Sequence, residues 1–274
     1  MGPVVWNVDP EIIKLFGSIP IRYYGLCILL GVLISYQIVK KVYVQEHIPI
    51  EKLEQLSTYL FVGIVIGMRL GHCLFYDFEY YSNHIVEIFV PFRWTNDSWE
   101  FTGFQGLASH GGSIGAILAI VFYSFKHKTS IFWILDRIAI VAPITGAFIH
   151  LGNFMNSEIY GKPTHGNYGV IFMRDDMIPR HPTQLYEAFA YVLIFFAAWF
   201  SYKTTNVRHY KGMLFGFVLI AVFTARFIIE YFKENQVAFE DAMTINMGQW
   251  LSIPFIVSGI VLLFLSRLQR ETML

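Results

Sequence analysis

The chain has 274 residues, of which 55% are apolar and only 15% are charged, whereas globular domains usually carry about 25% charged residues. Its 20 basic and 20 acidic side chains give a formal net charge of zero. This composition excludes a disordered chain, a nucleic-acid binder of the basic-patch type and a disulfide scaffold. The apolar residues are gathered into long runs, so membrane-spanning helices have to be considered first.

Seven windows are apolar enough to cross a bilayer, which takes about 20 residues in a helix. Backbone polar groups in the hydrocarbon must pair internally, so runs of this length predict helices, whereas a barrel would show short alternating segments. We therefore expect an all-α integral membrane protein, with residues 1–274 forming a single seven-helix domain. The predicted transmembrane helices are Ile21–Val39, Leu56–Tyr76, Leu107–Phe125, Ile131–Leu151, Gln184–Ser201, Gly212–Phe232 and Gly248–Ser266.

Charged residues are distributed unevenly between the two sets of connections. The connections after the first, third, fifth and seventh windows hold ten basic and four acidic residues, whereas the opposite side holds six basic and thirteen acidic ones. Basic residues favour cytoplasmic loops, so the N-terminus is predicted outside and the C-terminus in the cytoplasm. Two outer connections, about residues 77–106 and 152–183, are long. We expect them to form a small folded cap, either functional or a passive cover.

Two ionisable residues inside the second and third windows are candidate functional residues, because polar groups in a membrane are costly. Arg69 lies between Gly67 and Gly71, whose four-residue spacing lets another helix approach. It is either functional or a structural arginine neutralised by a carboxylate. His110 lies in the glycine-rich segment SHGGSIG. It could move a proton near neutral pH, or it could be a satisfied core residue.

Polar residues also gather where the fourth window ends. His150 is followed by Asn153, Asn156 and Glu158 in the sequence HLGNFMNSEIYG. The cluster either caps the end of a helix or binds a polar ligand at the membrane boundary.

Arg226 in the sixth window has Glu230 one turn later. Such a pair either neutralises itself on one helix face or leaves the arginine to bind an anion. A guanidinium is well suited to phosphate because its planar fork matches the oxygens.

These segments, in this order, resemble the prolipoprotein diacylglyceryl transferases, a family of bacterial membrane enzymes, over nearly the whole chain. No single segment is decisive, but six of them in family order on seven windows make a specific signal. The matching segments are Ile21–Leu26, Gly67–Tyr76, His110–Gly112, Gly152–Gly161, Arg180–Glu187 and Met247–Ser252.

The resemblance implies an enzyme that transfers the diacylglyceryl group of phosphatidylglycerol to the lipobox cysteine thiol in the signal peptide of a preprolipoprotein. The reaction forms a thioether and releases glycerol phosphate. The family fold has seven transmembrane helices and a periplasmic head in the bacterial inner membrane, in agreement with the topology above. No metal or other cofactor is implied, and we expect Cys27 and Cys73 to be inert core residues.

The resemblance also implies roles for individual residues. His110 matches the histidine proposed to take the proton of the thiol, whose thiolate is the nucleophile. Arg226 matches an arginine thought to stabilise charge as the phosphate ester breaks. The residues implied to line the lipid-headgroup site or to support activity are Tyr24, Asn153, Asn156, Glu158 and Gly161.

The sequence departs from the family pattern at two positions. The family signature usually begins with an arginine that contacts the phospholipid, where this chain has His150, and a tyrosine one turn before Arg226 is replaced by Val222. A histidine offers one charged donor, and only when protonated, where arginine offers a fork. Our hypothesis is that His150 keeps a headgroup-contacting role while Arg69 or Arg180 supplies charge.

Other seven-helix proteins are the alternatives. A transporter of an anionic or lipid substrate would also carry intramembrane arginine and histidine, although transporters commonly show internal repeats that are not visible here. A retinal-type receptor needs a lysine that Gly248–Ser266 lacks. An intramembrane protease needs a catalytic motif, and the glycine-rich segment lacks the spacing of a nucleophile elbow. A membrane transporter therefore remains the alternative function, and a non-catalytic scaffold gives no reason for His110 or Arg226.

Overall fold

The computed structural model describes residues 2–15, 19–95, 98–101, 103, 106–166, 168–234, 240 and 243–271. Helices dominate this part of the chain. The helices of 17 residues or more are α1 (Tyr23–Gln45), α2 (Ile50–Phe75), α5 (Ser109–His127), α6 (Ile131–Asn156), α7 (Thr183–Thr204), α8 (Met213–Ile229) and α9 (Met247–Glu271). Two short helices, α3 (Phe78–Asn83) and α4 (Val86–Phe89), lie between α2 and α5.

Six helices of the described residues are long and apolar enough to cross a membrane, namely α1, α2, α6, α7, α9 and α8 with the 3-10 turn that follows it. This confirms a mostly helical integral membrane protein. The predicted third span is also a helix, but it is not among these six, and its ends carry the polar residues Ser109, His110 and Lys126. The count of seven and the orientation stay predictions.

Short strands form outside the long helices, and the sequence did not indicate them. Strand β1 (Val4–Trp6) pairs in parallel with β6 (Val170–Phe172), which pairs antiparallel with β7 (Pro179–Arg180). Two hairpins are formed by β2 with β3 (Glu11–Leu15 and Ile19–Arg22) and by β4 with β5 (Phe92–Thr95 and Ser98–Phe101). Both long connections therefore contain folded segments.

The chain divides into two compact units, Met1–Val42 with Leu135–Leu274, and Tyr43–Ile134. In the first unit, close packing holds α6 against α7, since a Cβ on Gly146 would lie 2.8 Å from the Tyr191 ring. Helices α8 and α9 cross at two facing glycines, because a Cβ on Gly259 would lie 2.7 Å from the carbonyl oxygen of Gly216.

In the second unit, α2 and α5 cross with their backbones in contact. A Cβ on Gly67 would lie 2.3 Å from the Gly111 carbonyl oxygen, and one on Gly63 would lie 2.6 Å from that of Gly115. Small residues at four-residue spacing permit such an approach. The glycines around Arg69 and after His110 therefore serve helix packing.

Candidate active site

In the first unit, polar side chains meet where α6 ends, α7 begins and α8 ends. The buried residues of α7 include Gln184, Glu187 and Tyr191, which recur at helical spacing and so share one face. Helix α6 brings His150 to this face, with its ring centroid 5.2 Å from that of Tyr191 in an edge contact. Arg226 lies in the last turn of α8, and Glu230 begins the 3-10 turn that follows this helix.

Five side chains of the first unit form what we call the buried ion cluster, namely His150, Glu187, Arg226, Glu230 and Lys233. Lys233 Nζ lies 2.8 Å from Glu187 Oε1 and 3.2 Å from Glu230 Oε1. Arg226 Nη2 lies 3.4 Å from the same Glu230 oxygen, and His150 Nδ1 lies 3.1 Å from Glu187 Oε2. Each carboxylate is therefore shared between two basic side chains.

Arg226 and Lys233 differ in exposure. The side chain of Lys233 is 4% exposed, whereas that of Arg226 is 38% exposed. Glu230 lies between them and also accepts a hydrogen bond from Asn246 Nδ2 at 3.2 Å. The Arg226–Glu230 pair predicted by spacing is therefore present, but Glu230 has other partners and the Arg226 side chain stays partly exposed.

The first turn of α9 supports Glu230 from the side. Asn246 and Gln249 form a reciprocal capping box, with Asn246 N donating to Gln249 Oε1 at 3.0 Å and Gln249 N donating to Asn246 Oδ1 at 2.9 Å. A Cβ on Gly248 would lie 2.5 Å from the Glu230 carboxyl carbon. This explains the Met-Gly-Gln segment, since a glycine gives room for the carboxylate and the cap fixes Asn246 beside it.

Glu158 is held by the two asparagines at the end of α6. Asn153 Nδ2 donates to Glu158 Oε2 at 3.4 Å and Asn156 Nδ2 donates to Oε1 at 3.1 Å. The Glu158 N–H also donates to the Asn153 carbonyl at 2.9 Å, so the segment does cap the helix end. The backbone of Ser157 and Ile159 has φ of 59° and 56°, a strained conformation that aims Glu158 back toward the asparagines.

Gly161 and Tyr24 complete this part of the site by packing. A Cβ on Gly161 would lie 2.3 Å from the Phe232 carbonyl oxygen, so only glycine allows the β-bridge between Gly161 and Lys233. The Tyr24 ring lies against Gly152, where a Cβ would be 2.7 Å from its Cδ2. Glu158 is near enough to Tyr24 to interact electrostatically with its hydroxyl.

Arg180 lies in the same unit but is engaged by carboxylates. Its Nε donates to Asp176 Oδ2 at 2.9 Å, and Nη1 lies 2.8 Å from Glu234 Oε1. Hydrogen bonds from Arg180 lower the pKa of Asp176, and those to Asp176 raise the pKa of Arg180. Two acidic partners neutralise the guanidinium, so the geometry argues against Arg180 as a source of charge for a ligand.

Arg69 and His110 belong to the second unit. Arg69 Nε donates to the Ile88 carbonyl at 3.0 Å, and its guanidinium lies 4.8 Å over the Tyr81 ring. Glu87 instead directs its carboxylate to Tyr80 Oη at 2.7 Å. The contacts of Arg69 thus hold the α4 segment against α2.

His110 lies in the first turn of α5 and is exposed. The preceding N–H of Ala108 donates to the Met68 carbonyl at 2.9 Å, which fixes the start of α5 against α2.

Sequence reasoning missed four residues of the first unit. Glu187 lies within a predicted span, and the cost of intramembrane charge could have marked it as a candidate. Lys233 follows the sixth window, where a loop charge is ordinary, and nothing in the spacing indicates that it is buried. Tyr191 and Asn246 gave no signal because neither is ionised at neutral pH.

The arrangement places a guanidinium that is 38% exposed beside two carboxylates, a histidine ring and a buried lysine, and two asparagine amides hold a third carboxylate at the end of α6. An exposed guanidinium of this kind suits an anion such as a phosphate. Among the described residues, no group of three or more His, Cys, Asp and Glu could hold a metal ion.

A family model described as prolipoprotein diacylglyceryl transferase matches residues 10–265. Three relatives share the name phosphatidylglycerol–prolipoprotein diacylglyceryl transferase. The protein of Bacteroides fragilis is 49% identical over 260 residues, covering 94% of both chains. That of Tolumonas auensis is 47% identical, covering 97% of this chain and 98% of its own, and that of Porphyromonas gingivalis is 41% identical, covering 95% and 93%.

Proposed function

Because the chain belongs to the prolipoprotein diacylglyceryl transferase family, it transfers a diacylglyceryl group from phosphatidylglycerol to a prolipoprotein, and we propose that the lipid headgroup binds beside the buried ion cluster. The observation that carries this proposal is the exposure of Arg226, at 38% against 4% for Lys233. The names of the relatives do not favour a transporter.

Arg226 stabilises the leaving group in the proposed reaction. The thiolate sulfur attacks the glycerol carbon that bears the phosphate ester, the carbon–sulfur bond forms, and the carbon–oxygen bond breaks with its electron pair on the phosphate. Negative charge grows on the phosphate oxygens in this step. A guanidinium fixed by Glu230 at 3.4 Å is already oriented to receive that charge, so little reorganisation is needed.

His110 is the proposed general base. A peptide thiol has a pKa of about 8.5 and is mostly protonated at neutral pH, so a base has to remove its proton before attack. The lipobox cysteine of the signal peptide supplies this thiol. The imidazole of His110, exposed at the start of α5, accepts the proton of this thiol.

The hydroxyl groups of the glycerol headgroup bind the remaining polar side chains. Glu158 accepts hydrogen bonds from these hydroxyls, while Asn153 and Asn156 hold its carboxylate at 3.4 and 3.1 Å. Tyr24 flanks the same carboxylate and His150 contacts the phosphate. Gly161 keeps the backbone close enough to shape this site. Arg69 and Arg180 contribute by holding segments of their own units, Arg69 at Ile88 and Arg180 at Asp176.

The proposed topology has seven spans, an N-terminus outside, a C-terminus in the cytoplasm, and an active site on the periplasmic side of the bacterial inner membrane. Helix α5, the third span in chain order, is added to the six because it contacts α2 at Gly63, Gly67 and Gly71, over two full turns. A helix packed this closely along a spanning helix shares its environment. The segments at 77–106 and 152–183 then form the outer cap.

The test is reconstitution with phosphatidylglycerol and a lipobox peptide, followed by mass spectrometry for thioether-linked diacylglyceryl. We expect His110→Asn and Arg226→Gln each to lower transfer by about 100-fold or more, with folding retained. His209→Asn and Arg267→Gln, which change exposed residues of the same types, are the matched controls. Full transfer by His110→Asn would refute the base assignment, and full transfer by Arg226→Gln would refute the headgroup site.

A further inference from the structure

His150 lies beside the Glu187 carboxylate, which also binds the ammonium group of Lys233. Its Nδ1 lies 3.1 Å from Glu187 Oε2, while Lys233 Nζ binds the other oxygen at 2.8 Å. Glu187 is 0% exposed, so its charge has to be compensated by protein groups rather than by water. His150 Nδ1 and Glu187 Oε2 are both buried, and neither makes a hydrogen bond with good geometry within the described residues, so the contact between them is electrostatic.

The buried ion cluster is charge-balanced when His150 is neutral. Glu187 and Glu230 contribute two negative charges, and Arg226 and Lys233 contribute two positive ones. An anionic phosphate entering this cluster would leave one negative charge uncompensated. His150 is the member of the cluster that can change its charge near neutral pH.

We infer that His150, paired with Glu187, binds the lipid phosphate as an imidazolium, so that each anionic headgroup that binds takes up one proton from solution. This inference rests on the proposed headgroup site. The proton goes to the imidazole, no other bond is made or broken, and the phosphate and Glu187 then hold the cation from two sides.

The charged groups around the His150 ring favour its protonation only when a phosphate is bound. From α7, Glu187 favours the imidazolium, and Tyr191 contributes a neutral ring edge. Burial of the ring opposes its charged form most strongly, and Lys233 and Arg226 oppose it as well. A phosphate adds a second negative neighbour and changes this balance in favour of protonation.

The experiment is calorimetric titration of the detergent-solubilised full chain with a short-chain phosphatidylglycerol. Titrations in two buffers with different ionisation enthalpies count the protons taken up. At pH 7.5 we expect about one proton per lipid, since the ordinary histidine pKa is about 6.5. The Kd should rise by up to about tenfold per pH unit above that value.

Three variants separate charge from structure. His150→Arg carries a fixed charge and should bind with no proton uptake and a Kd independent of pH. His150→Gln should bind at least about tenfold more weakly at pH 6, also without uptake, while the exposed His209→Gln should behave as wild type.

Two results would overturn the inference. One is wild-type binding without proton uptake, and the other is uptake that persists in His150→Gln. If neither the wild type nor His150→Arg binds the lipid at any pH, the proposed headgroup site itself fails and the inference fails with it.

Discussion

The substitution Gly67→Ala tests whether the contact of α2 with α5 determines stability. The new methyl carbon would lie 2.3 Å from the Gly111 carbonyl oxygen and 3.0 Å from the Gly115 Cα, whereas ordinary contact begins near 3.4 Å. Both obstacles are backbone atoms, so rotation of a side chain cannot relieve the overlap. The two helices have to separate by about 1 Å at this crossing.

The expected loss of stability is about 1–2 kcal/mol. Overpacking of a close contact costs about 1–3 kcal/mol, and replacing glycine by alanine in a helix returns up to about 1 kcal/mol. The neighbouring contact of Gly63 with Gly115 loosens as well, because a rigid helix cannot separate at one turn alone. This keeps the net effect destabilising.

The control is Gly25→Ala in α1, where a Cβ would meet no atom within 4 Å. It gains the same helix propensity without an overlap and should leave stability unchanged or raise it slightly. Reversible unfolding in mixed detergent micelles, monitored by circular dichroism, compares the two variants. If Gly67→Ala were as stable as Gly25→Ala, the contact would not contribute as argued.

Two further predictions concern ion pairs of the first unit. Lys233→Met leaves the two carboxylates that the lysine binds at 2.8 and 3.2 Å buried and less compensated, so unfolding in mixed micelles should show a loss of about 3–5 kcal/mol; an unchanged stability would contradict the shared pairing. The pKa of Asp176 is lowered mainly by hydrogen bonds from Arg180, so its stabilisation is present above the ordinary aspartate pKa of about 3.9 and disappears as pH falls below it. Between pH 7 and pH 3, the melting temperature of Asp176→Asn should therefore fall by less than that of the wild type. An equal decrease in the two proteins would refute this.

The long helices could be predicted because their length is set by the bilayer. The window Ile131–Leu151 falls within α6, which extends to Asn156, and the polar residues that continue it are capped by the turn at Glu158. The short strands could not be predicted, since Val4–Trp6 pairs with Val170–Phe172 far along the chain. Three-residue strands carry too little periodicity to be recognised without their partners.

The site was partly predictable for a different reason. Arg226 is a charged residue inside an apolar window, and the asparagines near Glu158 are polar residues clustered where another window ends. The sequence therefore marks each of them without knowledge of its partners. The sequence paired Arg226 with Glu230 by helical spacing, but the link from Glu187 on α7 to Lys233 after α8 depends on how these elements pack. Ion pairs between separate helices depend on how the helices pack, and the spacing of residues within one helix does not indicate them.

The charge of His150 follows from a conflict between stability and binding. Buried charges in a membrane protein have to compensate one another, and the buried ion cluster achieves this with two carboxylates and two cations. A balanced cluster, however, has no net attraction for an anionic headgroup. A permanent arginine at position 150 would supply that attraction and leave an extra positive charge whenever the site is unliganded. A histidine beside Glu187 provides the charge only when phosphate is present, so the unliganded site stays neutral and lipid binding becomes linked to pH.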